Sequence, residues 1–288
     1  MTDEMDTIIR FHDSRRLPEL CRCVFSVVGQ SHRPLRIVLA VQRFSEQEIK
    51  DTKAALAPIL HGEDGVSLAV VNWQHAEPVD ARSALLDMGI KNLEGRYFAF
   101  LDYDDVLYPE AYQLLISQMK QTQSGIAFAS VRLMNLDVYP TYFYARNVVD
   151  RVFSGTGLLD LFRNNFCPLH SYAMDRSLVP ADTLSLETSN TLEEDYDLLL
   201  RICAQVKSDF NLLKHPIGDY NFKTDGSNTI SATGGRKPGI KYEEIKAAIE
   251  LRRRMTLVAI AVQESLGIKK PDASLSIRDV VDALADAA

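Results

Sequence analysis

Three carboxylates follow a short apolar run near the middle of the chain. Asp102, Asp104 and Asp105 come directly after the sequence YFAFL, which has the composition of a buried β-strand. Carboxylates this close together repel one another unless cations or hydrogen-bond donors compensate their charge. Their oxygen atoms are ligands that Mg²⁺ and Mn²⁺ prefer. The segment therefore predicts a metal site, with a solvated acidic turn before a helix from Pro109 as the alternative.

A second acidic group, Glu194, Asp195 and Asp197, opens the sequence EDYDLLLR. It begins an amphipathic stretch that predicts a helix over residues 190–206. Acidic residues are common at helix starts because they complement the positive end of the helix dipole. Taken alone, the segment favours this structural role at a helix start. Because the chain already has one carboxylate group at a predicted ligand site, however, a second group also indicates a functional role.

The first half of the chain alternates short apolar runs with amphipathic stretches. This alternation predicts strands joined by crossover helices, and hence an α/β fold with a mainly parallel sheet covered by helices. Ligands bind at the C-terminal edge of such sheets, which is where Asp102 would lie. The predicted strands are 7–11, 35–41, 66–71 and 97–101, and the predicted helices are 17–30, 46–60 and 81–93.

The second half of the chain has a less regular pattern. It predicts strands over 126–133, 139–145 and 216–222, and helices over 158–163, 190–206, 240–267 and 276–287. Residues 225–239 are rich in Gly, Ser, Thr and Asn, which predicts a loop. We interpret the chain as one α/β domain, residues 1–235, followed by a C-terminal helical appendage, residues 236–288.

The composition is that of a globular protein, with 46% hydrophobic and 25% charged residues. A net charge of −7 argues against broad nucleic-acid binding, which depends on Lys and Arg that neutralise phosphates. No apolar run approaches the ~20 residues that cross a bilayer. The acidic start MTDEMD is unlike a secretory signal, so we expect a cytoplasmic protein. The four cysteines are expected to be reduced and mostly buried.

Six segments together match the motifs of a known enzyme family. In chain order they are SVVGQS (26–31), DARS (80–83), FLDYDDVLYP (100–109), the stretch 165–176, EDYDLLLR (194–201) and YNFKTDGSNT (220–229). Their order resembles a family 2 glycosyltransferase with the GT-A nucleotide-sugar fold. The resemblance covers roughly residues 7–230.

The resemblance implies transfer of a sugar from a nucleotide-diphosphate sugar to an acceptor hydroxyl, with inversion at the anomeric carbon. Asp195 would then be the general base, oriented by Glu194. Asp104 and Asp102 would hold a Mn²⁺ or Mg²⁺ ion. The residues expected at the nucleotide sugar are Phe11, His12, Asp13, Gln42, Arg82, Asp102, Tyr103 and Lys223, and those expected on the acceptor side are His170 and Ser171. The alternatives are an ordinary buried loop for His170 and Ser171 and a surface histidine for His12.

The sequence departs from the family pattern at three places. The first strand ends in RFHD (10–13), where the family usually has P-x-Y-N. Gln42 replaces the Asp that commonly holds the nucleotide base, and a neutral amide predicts broader base selectivity. Lys223 or Thr224 stands where the family often has a metal-binding His. A lysine there can contact the diphosphate directly.

Two other functions fit part of this pattern. A phosphatase of the haloacid dehalogenase type also has a D-x-D motif after an apolar strand, with Asp102 as its nucleophile. That motif follows the first strand of such enzymes, however, and here it follows the fourth predicted strand. The other alternative is a glycosyltransferase-like chain that has lost turnover and serves as a binding subunit.

The expected partners are a nucleotide-diphosphate sugar donor and a saccharide or glycolipid acceptor. Polysaccharide or glycolipid synthesis is the setting that the family resemblance favours. The arginines at 252–254 leave open a contact with anionic lipid at the inner face of the membrane, although a solvated helix face is the favoured explanation. A homodimer is also left open.

Overall fold

Four parallel strands form the half of the sheet that carries the first acidic motif. The computed structural model describes residues 3–139, 141–149, 153–187, 192–224, 228 and 242–285. The strands are β1 (Met5–Phe11), β2 (Leu35–Gln42), β3 (Val66–Trp73) and β4 (Tyr97–Asp102), in the order β3-β2-β1-β4. The apolar runs of β1, β2 and β4 are buried on both faces. Because all four strands run the same way, their carboxyl ends meet at one edge.

Three helices connect these strands, as the alternating pattern predicts. They are α1 (Leu17–Val28), α2 (Glu46–Leu60) and α3 (Arg82–Lys91). A proline in the first turn of α1 fixes the backbone angle that a helix start needs. A capping box of Ser45 and Glu48 begins α2 by satisfying backbone N–H groups of its first turn. The local sequence therefore determines where these helices begin.

The second half of the chain extends the sheet with strands of mixed direction. Its elements are β5 (Val106–Leu107), α4 (Ala111–Thr122), β6 (Ile126–Val138), β7 (Phe143–Val149), α5 (Leu158–Arg163), β8 (Tyr172–Asp175), α6 (Glu194–Gln205) and β9 (Ser208–Lys223). Beyond β4 the strand order is β8-β6-β9-β5, and β7 pairs with β6. β9 is parallel to β6, whereas β8 pairs antiparallel with both β4 and β6. The sheet is therefore parallel in its first half and mixed in its second.

Strand β9 returns the chain to the edge where β4 ends. Its residue Asp219 pairs with Val106, just beyond the acidic motif, and its last residue, Lys223, pairs with Leu136. Gly218 permits this approach, because a Cβ at that position would collide with the backbone oxygen of Val106. The end of β9 consequently lies against the turn that contains Asp104.

Alternate residues of the sheet face two separate hydrophobic cores. On β1, Ile8 belongs to the core shared with α3, α5, α6 and the C-terminal helices, and Ile9 to the core shared with α1, α2 and α4. Successive side chains of a strand point to opposite faces. Arg10 therefore has the parity of Ile8 and points towards the α6 side. Asp102 shares that side with Phe100 for the same reason.

Several predicted elements of the second half differ from the structure, and one observed strand was not predicted. The strand predicted over 139–145 begins only at Phe143, because Tyr139 and Tyr142 form the turn before it. The strand predicted over 216–222 begins earlier, at Ser208. β8 has no counterpart among the predicted elements, since its four residues are too few for a periodic pattern to show. Helix α6 begins at Glu194, and residues 188–191, where its start was predicted, lie outside the described residues.

The helix predicted over 240–267 is two helices, α7 (Tyr242–Met255) and α8 (Ile260–Ser265). The break occurs because residues 256–258 bond instead to the segment before α9 (Ile277–Ala285): the N–H of Val258 donates to Leu275 and the N–H of Ile277 to Thr256. Apolar residues of all three helices join the core of α5 and α6. The predicted boundary between residues 235 and 236, and the loop predicted over 225–239 apart from Asn228, lie outside the described residues.

The arginines of α7 contact the rest of the protein. Arg252 pairs with Asp197 of α6 at 2.6 Å, and Arg253 donates to the hydroxyl oxygen of Tyr196 at 2.9 Å. Arg254 is exposed and pairs with Glu250 on its own helix. The predicted solvated face is therefore correct for Arg254 only. Among the described residues, none of the helices combines the length and hydrophobicity that a membrane span requires.

Candidate active site

A pocket of about 470 Å³ opens where the parallel strands end. The ends of β1, β2 and β4 and the segments that follow β1, β3 and β4 form part of its wall, and the end of β9 closes it. Eight of the residues predicted for the site line it, namely His12, Asp13, Gln42, Arg82, Asp102, Tyr103, Asp104 and Lys223. The fold therefore brings together residues that are up to about two hundred positions apart in the chain.

Arg10 connects the two acidic motifs. Its guanidinium group forms a two-pronged ion pair with Asp102, with Nη2 to Oδ2 at 3.0 Å, and its Nη1 donates to Glu194. Burial opposes ionisation of Asp102, but the charge of Arg10 holds the pKa of that carboxyl below its usual value. Asp102 is thus a carboxylate whose charge is already matched inside the protein.

Lys223 pairs with Asp104 in the way that Arg10 pairs with Asp102. Its Nζ lies 2.6 Å from Oδ2 of Asp104 and 5.5 Å from the centre of the Tyr103 ring, and the residue is 3% exposed. Burial raises the pKa of Asp104, Lys223 acts against that rise, and the charge of Asp102 adds to it. The solvated acidic turn that the sequence left open is therefore wrong, because this turn is buried and ion-paired.

Asn221 and Asp105 fix the shape of the acidic turn. Asp105 is buried and accepts the backbone N–H of Asn221 at 2.7 Å. The amide of Asn221 donates to the backbone oxygen of Asp104, also at 2.7 Å. Burial, and then the charges of Asp104 and Asp102, raise the pKa of Asp105 well above its usual value. Asp105 is a structural member of the turn, facing away from solvent.

Asp195 lies in the first turn of α6, next to the Glu194 that Arg10 holds. Burial, with the neighbouring charges of Glu194 and Glu193, raises the pKa of Asp195 to about 7. A carboxylate with such a pKa can accept a proton near neutral pH and retain it. Neither Asp195 nor Glu194 lines the pocket; Glu194 contacts Arg10, which does. The roles of Asp195 and Glu194 in catalysis stay predictions.

Comparison with known proteins identifies the family. The model of the family described as "Glycosyl transferase family 2" matches residues 7–179, which is more than half of the chain. The chain belongs to glycosyl transferase family 2. Comparison with curated protein sequences gives no significant match. Membership removes the phosphatase alternative, since the D-x-D motif lies in the glycosyltransferase order of elements.

Solved structures of glycosyltransferases share the fold. S. aureus TarS 1-349 in complex with UDP-GlcNAc aligns with a TM-score of 0.64 at 11% identity, over 91% of this chain and 70% of that one. The mannosyltransferase PcManGT from Pyrobaculum calidifontis, in complex with GDP-Man and Mn²⁺, aligns with a TM-score of 0.54 at 11% identity, over 98% of this chain and 68% of that one. The predicted GT-A fold is confirmed.

The site of this family 2 chain differs from the predicted metal site. Within the described residues, no group of three or more His, Cys, Asp or Glu side chains is arranged to hold a metal ion. Asp102 and Asp104, the predicted ligands, bind Arg10 and Lys223. A divalent cation would have to displace a buried ammonium group from Asp104, so the described residues do not fit a Mn²⁺ or Mg²⁺ site.

Three predicted residues lie behind the pocket. Phe11 is fully buried and packs edge-on against Phe44 and Tyr103. His170 and Ser171, expected on the acceptor side, are also buried. Burial lowers the pKa of His170 to about 4, so its ring is neutral, and its Nδ1 lies 3.3 Å from Oδ2 of Asp105. An acceptor can reach neither side chain in this arrangement; their role at the acceptor stays a prediction.

Gln42 and Arg43 hold the loop that forms one wall of the pocket. The Gln42 side chain donates to the backbone oxygen of Val79 at 2.8 Å and accepts the backbone N–H of Ala81 at 3.3 Å. Arg43 donates to backbone oxygens within residues 75–79 of the same loop. The Gln42 amide is thus used by the protein backbone, and base recognition through that amide stays a prediction.

The other nucleotide-side residues belong to local ion pairs or packing. Asp13 caps the short helix Ser14–Arg16 and pairs with Arg15, whereas Arg82 pairs with Asp80 at 2.7 Å. Burial lowers the pKa of His12, whose ring lies 5.5 Å from that of Tyr103. A neutral ring at the pocket wall suits stacking or hydrogen bonding with a nucleoside.

Sequence analysis missed several residues of the site, among them Arg10 and Asn221. Arg10 carries a signal, because a charged residue directly after the apolar pair Ile8 and Ile9 of a buried strand must find a buried partner. Asn221 shows no such signal in the sequence, since an asparagine near the end of a strand is common in proteins without any role in a functional site. Its role depends on the approach of β9 to the acidic turn, which no local pattern shows.

Proposed function

We propose that this chain is an inverting glycosyltransferase that moves a sugar from a nucleoside-diphosphate sugar to an acceptor hydroxyl. One observation carries the proposal: Arg10 contacts both Asp102, in the pocket, and Glu194, beside Asp195. Arg10 lines the pocket and binds Glu194, the residue that precedes the proposed base Asp195, so one side chain connects the donor pocket to the start of α6. UDP-GlcNAc and GDP-Man in the TarS and PcManGT complexes support a donor of this class.

In the proposed reaction, the acceptor oxygen attacks the anomeric carbon from the side opposite the diphosphate. A new carbon–oxygen bond forms while the bond to the β-phosphate oxygen breaks, and the electron pair of that bond stays on the phosphate. Asp195 takes the proton of the acceptor hydroxyl. A single displacement needs one base and no covalent intermediate, and it inverts the anomeric centre.

The charges around the pocket support this assignment of sides. Arg10, Arg16, Arg82 and Lys223 line it together with five aspartates, and the N–H donors of these cationic side chains are groups that bind the oxygen atoms of a diphosphate. Asp195, on α6, accepts the proton of the acceptor hydroxyl. The groups that bind the donor diphosphate and the group that accepts the proton therefore belong to different parts of the site. A saccharide or glycolipid acceptor, in polysaccharide or glycolipid synthesis, is part of the proposal through the family alone. The Mn²⁺ or Mg²⁺ cofactor expected for the family is left out of it, because Asp104 already binds Lys223.

The test is release of nucleoside diphosphate from a panel of UDP- and GDP-sugars, with oligosaccharide and glycolipid acceptors, followed by chromatography of the products. Proton NMR of the anomeric signal reports the stereochemistry. We expect release from one donor class, a product of inverted configuration, and strong loss in Asp195→Asn. Asp51→Asn, at an exposed position of α2, is the matched control.

Two outcomes would contradict the proposal. Retention of configuration would rule out the single displacement. Donor binding with no release from any donor, with or without Mn²⁺, would favour the binding-subunit alternative.

A further inference from the structure

We propose that Lys223 takes the place of the divalent cation in this chain, so that glycosyl transfer proceeds without added metal. The inference rests on the proposed glycosyltransferase function and deepens it. Its substance is that the ammonium group of Lys223, held by Asp104, contacts the diphosphate and stabilises the charge that develops on it as it leaves. Three observations on the described residues support this assignment.

The first observation is the fixed position of the ammonium group. Nζ of Lys223 lies 2.6 Å from Oδ2 of Asp104, and the side chain is 3% exposed. The backbone N–H of Lys223 donates to Asn228 at 2.9 Å, and Asn221, two residues earlier, binds the same acidic turn. A charge held in this way needs no reorganisation when negative charge appears next to it, which is the property that makes such groups effective in catalysis.

The second observation is the charge balance of the D-x-D motif. Asp104 is paired with Lys223, and Asp102 is paired with Arg10, which also binds Glu194, so each carboxylate of the motif already has a cationic partner. A divalent ion bound to Asp104 would lie beside the ammonium group, and like charges at that separation repel strongly in a buried site. Binding the metal would therefore require Lys223 to leave a position that it occupies with good geometry.

The third observation is the hydrogen-bonding capacity that remains. An ammonium group has three N–H donors, and Asp104 accepts one of them. The contacts of the described residues leave the others for phosphate oxygens of a donor in the pocket, which Lys223 lines. In the transfer step the electron pair of the broken carbon–oxygen bond goes to the β-phosphate oxygen, where Lys223 would stabilise it. No oxidant, reductant or further reactant is needed.

The test compares wild type, Lys223→Ala and Lys223→Arg after removal of metals with EDTA, each assayed with and without added Mn²⁺. We expect wild-type turnover in EDTA to stay within about twofold of that in Mn²⁺. Lys223→Ala should lose about 10²-fold or more in kcat in EDTA, the typical cost of removing one preorganised donor. Mn²⁺ should recover part of that loss, because Asp104 is then free. Lys223→Arg should keep more activity than Lys223→Ala.

If Lys223 had only a structural role, its loss would not change the dependence of activity on metal. Recovery of Lys223→Ala by Mn²⁺ therefore distinguishes a catalytic role of Lys223 from a structural one. Lys53→Ala, exposed on α2, is the matched control, and thermal melting checks that each variant folds. Wild type that is inactive in EDTA and fully active with Mn²⁺ would overturn the proposal while leaving the glycosyltransferase function intact. Equal activity of Lys223→Ala and wild type in EDTA would also overturn it.

Measuring the binding of nucleoside diphosphates tests the role of Lys223 even if the chain turns over no donor. Calorimetry with UDP and GDP in EDTA should show binding of one of them by wild type and at least tenfold weaker binding by Lys223→Ala. If no donor is turned over, that difference still supports the contact between Lys223 and a diphosphate. Equal affinity of both proteins, or binding by neither, would contradict it.

Discussion

The carboxylates at the end of β4 and those at the start of α6 lie on either side of Arg10, yet their chemistry differs. Asp102 binds the guanidinium group directly, and its pKa is lowered. Burial, followed by the charges of Glu194 and Glu193, raises the pKa of Asp195 to about 7. Both residues are aspartates in largely buried surroundings. The partner of each side chain therefore decides whether it remains a fixed charge or becomes a base.

The comparison shows how one arginine can serve both regions. Arg10 compensates Asp102 and Glu194, which are buried charges that would otherwise be costly. Among the described residues, no cationic side chain forms an ion pair with Asp195, and this favours its raised pKa. A cation placed next to Asp195 would lower that pKa, whereas the loss of Arg10 would leave Asp102 and Glu194 uncompensated.

The largest expected effect is the loss of kcat when Asp195, the proposed base, is replaced. Asp195→Asn keeps the shape of the side chain but cannot accept a proton, so kcat should fall by about 10²–10⁴-fold with donor affinity nearly unchanged. Steady-state kinetics and calorimetry with the donor measure the two quantities. Glu194→Gln is the comparison variant, and we expect it to lose less activity. A larger loss in Glu194→Gln than in Asp195→Asn would assign the base to Glu194.

The next effect concerns the arginine that joins the two regions. Arg10→Met keeps much of the side-chain volume but leaves Asp102 and Glu194 unpaired, so the free energy of unfolding should fall by about 3 kcal/mol. Urea unfolding followed by circular dichroism measures it. Arg254→Met is the control, because Arg254 is exposed and an exposed pair contributes about 1 kcal/mol or less. Equal stability of the two variants would show that Arg10 does not compensate both motifs.

A moderate effect is expected from pH. The base must be deprotonated to act, so with a pKa of about 7 for Asp195 the value of kcat should be half-maximal near pH 7. Below that pH it should fall about tenfold per unit, and above it reach a plateau. The low-pH limb should be absent from the residual activity of Asp195→Asn. A flat wild-type profile from pH 5 to 8 would mean that Asp195 has an ordinary carboxylate pKa.

The smallest effect concerns Gln42, which contacts neither acidic motif in this structure. Its amide supports the loop at Val79 and Ala81, so Gln42→Ala should weaken binding of UDP and GDP alike, by about three- to tenfold. The ratio of the two affinities should stay the same. Competition binding measures that ratio, and a change beyond about fivefold would support the base contact that the sequence suggested.

The sequence could predict the fold because its signals are local. Alternating apolar and amphipathic stretches placed β1 to β4 and α1 to α3 within a few residues of their observed bounds. The break between α7 and α8 could not be predicted in the same way, because it depends on bonds to the distant segment at Leu275 and Ile277. The amphipathic pattern continues across the break and resembles one long helix.

The same distinction holds at the site. Asp102 and Asp104 could be placed at the strand ends because the C-terminal edge of a parallel sheet follows from the order of elements. The sequence could not decide between a buried loop and an acceptor pocket for His170 and Ser171, since the short segment around them carries no periodicity; both side chains are buried in the structure. The hydrogen bond between the Gln42 amide and the backbone of Val79 could not be predicted either, because it depends on how the loop after β3 folds back towards the end of β2.

By itself the sequence determined the family, the order of strands and helices in the first half of the chain and the two acidic motifs, because each depends on short contiguous segments. The tertiary structure alone decided which cation meets which carboxylate. Arg10 and Glu194 are 184 positions apart, and Lys223 and Asp104 are 119 apart. Such pairs depend on strand order and register, which the packing of the whole sheet sets. Since these partners and burial determine whether a carboxylate keeps or gives up its proton, the chemistry of the site emerges only in the folded protein.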